Sequence, residues 1–183
     1  MLPEHVTEFG VRKAELVEAA CSARERGYSY RGFTVGASVL AWNGTEYRVF
    51  VGANIKPAAG AHKTCAETVA ISAAHMAGFH LVVALVTCGI PLDAAKACTI
   101  HPCETCRAML VLMPGIQQDS ILLTTNAVTG AQEEWTVGEF VSRYAEEDVS
   151  GLWQHHHENV EWLSDAVRAR LRQHAAAHPI VAI

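Results

Sequence analysis

Between residues 11 and 27, apolar side chains recur at Val11, Leu16, Val17, Ala20 and Cys21, with charged residues between them and a glycine at the end. That spacing predicts an amphipathic helix stopped at Gly27. The period then changes. FTVGASVLAW (33–42) and YRVFVGANI (47–55) are strand-like, and the Asn43-Gly44 pair between them predicts a hairpin. After the loop KPAAGAHK, an alanine-rich run from Cys65 to about Ala77, closed by Gly78, predicts a buried helix. LVVALVTCG (81–89) is unbroken and apolar, as expected of a central strand covered on both faces. In HPCETCRAMLVLMPG, Pro102 stands where a helix takes its first residue and Pro114-Gly115 where it must stop. SILLTT predicts a further strand, NAVTGA a turn, QEEWTV a short returning strand and GEFVSRYAEE a short helix. Val160, Leu163, Val167 and Leu171 recur at helical spacing, so ENVEWLSDAVRARLRQHAAA predicts a last amphipathic helix, packed on the body or on another subunit.

Helix, hairpin, helix, strand, helix and strand, in that order, predict a three-layer α/β sandwich around a mixed sheet. The 183 residues suffice for one domain with a substantial core and are too few for two ordinary ones. Net charge is −5, and no run of lysine or arginine forms a stripe, which argues against a sequence-independent grip on nucleic acid. Arg24, Arg26 and Arg31 read as a solvated helix end. No apolar run approaches the ~20 residues that span a bilayer, and no basic segment followed by an apolar one opens the chain. A cytoplasmic protein is expected, without a membrane or nucleic acid partner. The six cysteines, in a core-rich chain with C-x-x-C spacing, point to metal or redox chemistry in preference to disulfides.

Cys103 and Cys106 fall at one predicted helix start and Cys65 at another. Unpaired amides and the positive end of the helix dipole favour thiolate there, the form a metal requires. Two such ends facing each other would hold three sulfurs around one ion. Zinc suits them, being borderline-soft and tetrahedral, and three protein ligands leave its fourth position to a water whose pKa it lowers. Glu67, two residues after Cys65, can then move a proton from that water to a substrate nitrogen, turning a poor amine leaving group into ammonia.

TCAETVAI followed by HPCETCR resembles the [HC]-A-E and P-C-x-x-C signature of the zinc-dependent cytidine deaminase superfamily. The resemblance extends from about Glu15 to about Glu147. YSYRGFTVGASVL is similar to the segment that leads into the family's first strand, VGANI to the end of the second, and EEWTVGEF to the stretch after the final hairpin. Cysteine at position 65 is similar to the small nucleoside-deaminase branch, including the blasticidin S deaminases. The resemblance implies an α/β/α sandwich with a mixed five-stranded sheet over residues 1–149 and leaves 150–183 as a C-terminal helical extension. It implies one Zn²⁺ per chain on Cys65, Cys103 and Cys106, with Glu67 as the catalytic proton shuttle. Phe33 would lie against a pyrimidine, the Ala66 backbone would meet its polar edge, and Asn54 would hydrogen-bond the sugar. The implied activity is hydrolytic deamination of a cytidine-like aminopyrimidine nucleoside, with ammonia as second product, in a pyrimidine-salvage role and a homo-oligomer, a tetramer by the same resemblance.

The pattern departs from the family at two places. Where the family's sugar-contacting asparagine is followed two residues on by a glutamate, this chain has Asn54-Ile55-Lys56, a donor in place of an acceptor. Lys56 either meets a phosphate, a carboxylate or a more elaborate sugar, or is a surface lysine. At Thr68 the family often has an arginine that offsets the charge of three thiolates on Zn²⁺. Arg107 either takes that role or is a helix-surface charge.

Blander readings remain beside these. Thr64-Cys65-Ala66-Glu67 fits a capping box, in which Glu67 satisfies a backbone amide. A structural zinc site would draw a fourth ligand from Cys98, His101 or His62. Cys21 and Cys88 read as core; Phe33 as core or as a base-stacking ring; Trp135 as core or as pocket wall; His155 to His157 as a solvated corner. The alternatives to a cytidine-type deaminase are the same chemistry on a nucleoside antibiotic, a nucleotide or a non-nucleoside amino-heterocycle, or a non-catalytic zinc-stabilised scaffold.

Overall fold

A computed structural model describes residues 1–92, 97–113 and 115–147. Helix α1 (Pro3–Arg24) opens the chain and begins well before Val11. Pro3 in the first turn and Glu4 beside it are start signals, but PEHVTEFG has little apolar periodicity and ends on a glycine, which conceals the extra turns. Phe9, Leu16, Ala20 and Ala23 form the buried stripe of this helix. It stops at Arg24, so Arg31 lies beyond the helix end, a correction to its expected place there.

The main sheet contains β2 (Gly36–Trp42), β3 (Tyr47–Ala53), β5 (Leu81–Gly89), β6 (Ile116–Asn126) and β7 (Gln132–Thr136) in the order β3-β2-β5-β6-β7. Only the β5–β6 pair is parallel, which makes it the mixed five-stranded sheet expected. Helix α1 covers one face; α2 (Ala66–Met76), α3 (Glu104–Leu112) and α4 (Val137–Glu147) cover the other. Strand β2 shows the alternation directly, with Val39 and Ala41 packed among the residues of α2 and Leu40 among those of α1. Between α1 and β2 the backbones nearly touch. A Cβ on Gly36 would stand 2.0 Å from the Ala20 carbonyl oxygen, so only glycine fits.

The hairpin between β2 and β3 turns at Asn43-Gly44, where the Asn43 Oδ1 accepts from the Thr45 and Glu46 amides at 2.9 Å each and Gly44 takes φ +105°. Two short strands, β1 (Tyr28–Ser29) and β4 (Ile55–Lys56), pair in parallel as a separate ribbon that no periodicity announces. Strand β2 begins at Gly36, not at Phe33. Helix α3 begins at Glu104 with Cys103 as its cap, so Pro102 precedes the cap and is not the first helical residue. Strand β6 starts at Ile116, ahead of SILLTT, because the polar run Gln117-Gln118-Asp119 hides its first residues.

Cys21 and Cys88 are packed in the core between α1 and β5, but they are joined by a disulfide, with Cα atoms 5.1 Å apart. Their place in the core is the expected one, and the bond between them corrects the preference for metal or redox chemistry over disulfides at this pair. Sixty-seven residues separate the pair, so only the docking of α1 on β5 brings them together. The helix expected over ENVEWLSDAVRARLRQHAAA, the extension 150–183 and His155 to His157 lie outside the described residues.

Candidate active site

Cys65 is the cap of α2 and Cys103 the cap of α3, and neither side chain makes a cap hydrogen bond. Their sulfurs turn toward each other at 3.5 Å, and the buried Cys106 sulfur lies 3.6 Å from that of Cys103. All three fall within 4.8 Å of one another. Zn–S bonds of about 2.3 Å in a tetrahedron set sulfurs about 3.8 Å apart, so the spacing fits one zinc ion with an open fourth position. Among the described residues no other cysteine, histidine or carboxylate joins this group, so Cys98, His101 and His62 do not complete a closed structural site.

The thiols are strongly linked. Hydrogen bonding with Cys106, then with Cys65, holds the Cys103 thiol down to about 2, and the Lys56 charge adds to the effect. The same bond to Cys103 pushes Cys65 up to about 11, and bonds to Cys103 and Cys65 push Cys106 up as well. One thiolate thus shares the protons of two thiols, and a dication is what ionises all three together.

Glu67 sits in the first turn of α2 and is only 5% exposed. Burial pushes its carboxyl above the ordinary range, partly opposed by its own backbone N–H, by Cys106 and by the charge of Lys56. The capping box is not formed: Cys65, not Thr64, is the cap residue, and its side chain makes no cap bond. Glu67 therefore faces the cleft as a buried carboxyl beside three sulfurs.

The cleft has a volume of about 740 Å³. Cys65, Glu67 and Cys103 form its metal end, and Phe33, Asn54, Lys56 and Ala66 line it. The structure thus gathers these residues from the β1–β2 connection, the β3–β4 edge and two helix starts. Phe33 is half-buried against the core and also faces the cleft, which joins its two readings. Asn54 is buried, its Oδ1 accepting from the Val35 amide at 2.8 Å and its Nδ2 donating to the Phe33 carbonyl at 2.9 Å. One Nδ2 hydrogen remains for a ligand. Lys56 is half-buried with its Nζ 5.2 Å from the centre of the Phe33 ring, not a loop lysine in open water. Arg107 donates from Nη1 to the Pro102 carbonyl at 3.0 Å and is not part of the cleft lining. Trp135 packs in the core, 6.4 Å from Phe140 and with the Arg143 guanidinium 4.8 Å over its ring.

Two groups of lining residues have no part in the catalytic site that the sequence predicts. Thr87 is a lone polar residue in the apolar strand β5, and that interruption is its sequence signal. Thr99 and His101 both bond the Glu133 carboxylate of β7, His101 Nε2 at 2.8 Å. Thr99 also meets Thr124 at 2.7 Å. Desolvation pushes the Glu133 carboxyl upward, but the Thr99 and His101 bonds outweigh it and hold the carboxyl below its usual range. Nothing in the sequence relates Glu133 to the loop before Cys103.

A model of the cytidine and deoxycytidylate deaminase zinc-binding region matches residues 11–121. The chain belongs to this deaminase family. Among solved structures, the cytidine deaminase of Burkholderia pseudomallei is similar with a TM-score of 0.57 and 29% identity, covering 68% of this chain and 92% of that one. The cytidine deaminase of Mycobacterium leprae is similar with a TM-score of 0.52 and 26% identity, over 69% of this chain and 94% of its own. No curated protein sequence matches. Zinc is the family's metal, and the three-sulfur group of this deaminase-family chain fits it. No helix among the described residues is long and apolar enough to cross a membrane.

Proposed function

We propose that this chain is a hydrolytic deaminase that converts a cytidine-like aminopyrimidine nucleoside to its uridine-like product and ammonia. The observation that carries this reading is the buried Glu67 carboxyl set beside three sulfurs at zinc spacing, in a cleft large enough for a nucleoside. Cys65, Cys103 and Cys106 would hold the zinc, which when bound would supply an acidified water near neutral pH. Glu67 would take a proton from the water whose oxygen adds to the amino-bearing ring carbon and pass it to the exocyclic nitrogen, so that a C–O bond forms as the C–N bond breaks and ammonia leaves. Phe33 presents its ring to the pyrimidine, the Ala66 backbone meets the polar edge of the base, and Asn54 offers its remaining N–H to the sugar.

Residues 1–149 make up the catalytic domain in this reading. A homo-oligomer agrees with Val51, an exposed apolar side chain on the edge strand β3 of the main sheet. The deciding assay is ammonia release by the zinc-loaded protein from cytidine, deoxycytidine and cytosine. Turnover is expected, with Glu67→Gln at least about a hundredfold slower while zinc stays bound. If Glu67→Gln matches the parent rate, the proton-shuttle role is wrong. A zinc-loaded protein inert on every aminopyrimidine would favour the scaffold reading.

A further inference from the structure

The chain as a whole is acidic, with 19 Asp and Glu against 14 Lys and Arg. Its cleft is the reverse. Arg31, Lys56 and Lys63 all line it, against a single carboxylate, Glu67. None of the three cations has a carboxylate within ion-pair distance among the described residues. Aromatic faces support two of them instead: the Phe33 ring lies under Lys56 at 5.2 Å and the Tyr30 ring under Arg31 at 5.3 Å. A ring steadies a cation without cancelling its charge.

Part of this charge has an internal use. Three thiolates on a dication sum to one negative charge, Glu67 when ionised adds a second, and the Lys56 amino group lies close enough to act on both Cys103 and Glu67. Three cations against two negative charges still leave a surplus. Arg31 and Lys63 are exposed whereas Glu67 is buried, so the surplus stands on solvent-facing parts of the cleft wall. With the base directed at the sulfurs, the sugar end of a nucleoside points to those parts.

We propose that the substrate carries an anionic oxyacid group, a phosphate or a carboxylate, on its sugar end, and that Lys56 binds this group with Arg31 and Lys63 around it. The inference rests on the deaminase reading for the direction in which the substrate enters. Cation-assisted hydrogen bonds in a half-buried cleft distinguish a charged from a neutral sugar far better than exposed pairs would. Asn54 fixes the neighbouring wall, so Lys56 is held at a constant place beside it.

The test uses the full zinc-loaded chain and separates binding from turnover. Calorimetry measures the affinity of uridine, uridine 5′-monophosphate and the 5′-carboxylic acid of uridine at low and high salt. Ammonia release is followed from the three corresponding cytidine compounds. Binding of one or both anions about tenfold or more tighter than uridine is expected, with the advantage shrinking at high salt. Preference for one anion over the other identifies the group as phosphate or carboxylate. Lys56→Glu should reverse the preference, and Arg31→Gln, at an exposed position, should reduce it. Equal affinity for all three ligands, unchanged in Lys56→Glu, would overturn the inference while cytidine turnover upheld the deaminase reading. Anion preference without ammonia from any compound would uphold the anion site and sink the deaminase reading.

Discussion

Gly52 is where the sheet sets the position of the metal end, and Gly52→Ala tests this. A Cβ there would stand 2.4 Å from the Ala66 carbonyl oxygen and 2.5 Å from the Ala70 amide nitrogen. Both atoms are backbone of α2, so no rotamer change relieves the contact. Ordinary contact begins at 3.4 Å, so the start of α2 must retreat from β3 by about 1 Å. Ala66 lies between Cys65 and Glu67, and the displacement reaches both. The Cys65–Cys103 spacing of 3.5 Å already sits close to the edge of a zinc–thiolate tetrahedron, and moving one corner by about 1 Å takes it outside bonding tolerance. Ammonia release should fall by about a hundredfold, and zinc affinity, measured by chelator competition, by tenfold or more on the order of magnitude seen when ligand support is lost. Overpacking of about 1–3 kcal/mol should lower Tm by roughly 3–8 °C. Gly10→Ala is the control, because Gly10 has nothing within 4 Å and lies inside α1. There Tm should rise by roughly 1–3 °C with the site untouched. A Gly52→Ala protein with parental zinc affinity and Tm would refute the idea that the β3–α2 contact sets the geometry of the site.

Glu133→Gln should cost about 1–2 kcal/mol near neutral pH, read by urea unfolding, because it weakens the bonds to Thr99 and His101. The folded-state carboxyl is held below its usual range, so its stabilising effect is present above the unfolded-state value of ~4.3 and is lost as pH falls through the lower folded-state value. The difference between the two proteins should therefore vanish in acid, and a difference independent of pH would refute the electrostatic account. Thiol titration of the denatured chain should find four reactive cysteines before reduction, Cys65, Cys98, Cys103 and Cys106, and six after it. Six before reduction would remove the Cys21–Cys88 bond.

The parts of the fold legible in the sequence are those with long periodicity or strong punctuation. The unbroken β5, the alanine-rich α2 and the Asn43-Gly44 turn all lie where their patterns place them. What is missed is short or nonlocal. The β1–β4 ribbon consists of two-residue strands, too short for any repeat to show. Glu133 and the Cys21–Cys88 pair depend on which strand and helix become neighbours, information that a linear pattern does not contain. The metal ligands were legible for the opposite reason: Cys103 and Cys106 are local to one another, and a helix cap explains both Cys65 and Cys103. Arg31 was misplaced because three nearby arginines look alike in sequence until the helix is seen to end at Arg24.

Asn54 links the two halves of the cleft. Its amide accepts from Val35 at 2.8 Å and its Nδ2 donates to Phe33 at 2.9 Å, while its backbone carbonyl accepts from the Tyr28 amide at 2.9 Å. Gly27 is glycine for the same reason, since a Cβ there would stand 2.8 Å from Asn54 Oδ1. The next residue, Ile55, exchanges both backbone bonds with Thr64 at 2.9 Å, and Thr64 precedes the metal-end residue Cys65. A continuous set of bonds therefore runs from Phe33 through Asn54 and Ile55 to the start of α2. The wall formed by Phe33 and Asn54 and the three-sulfur end of the cleft are built as one unit, so little ordering is left for binding to accomplish. The same continuity makes a substitution at Asn54 hard to interpret, because loss of the proposed sugar contact and loss of loop anchorage would arrive together. Lys56 lies two residues further on and rests its amino group on the Phe33 ring, outside that backbone chain of bonds. Changing its charge alters what the cleft attracts and leaves the frame in place, which makes Lys56 the position where substrate choice can be read separately from folding.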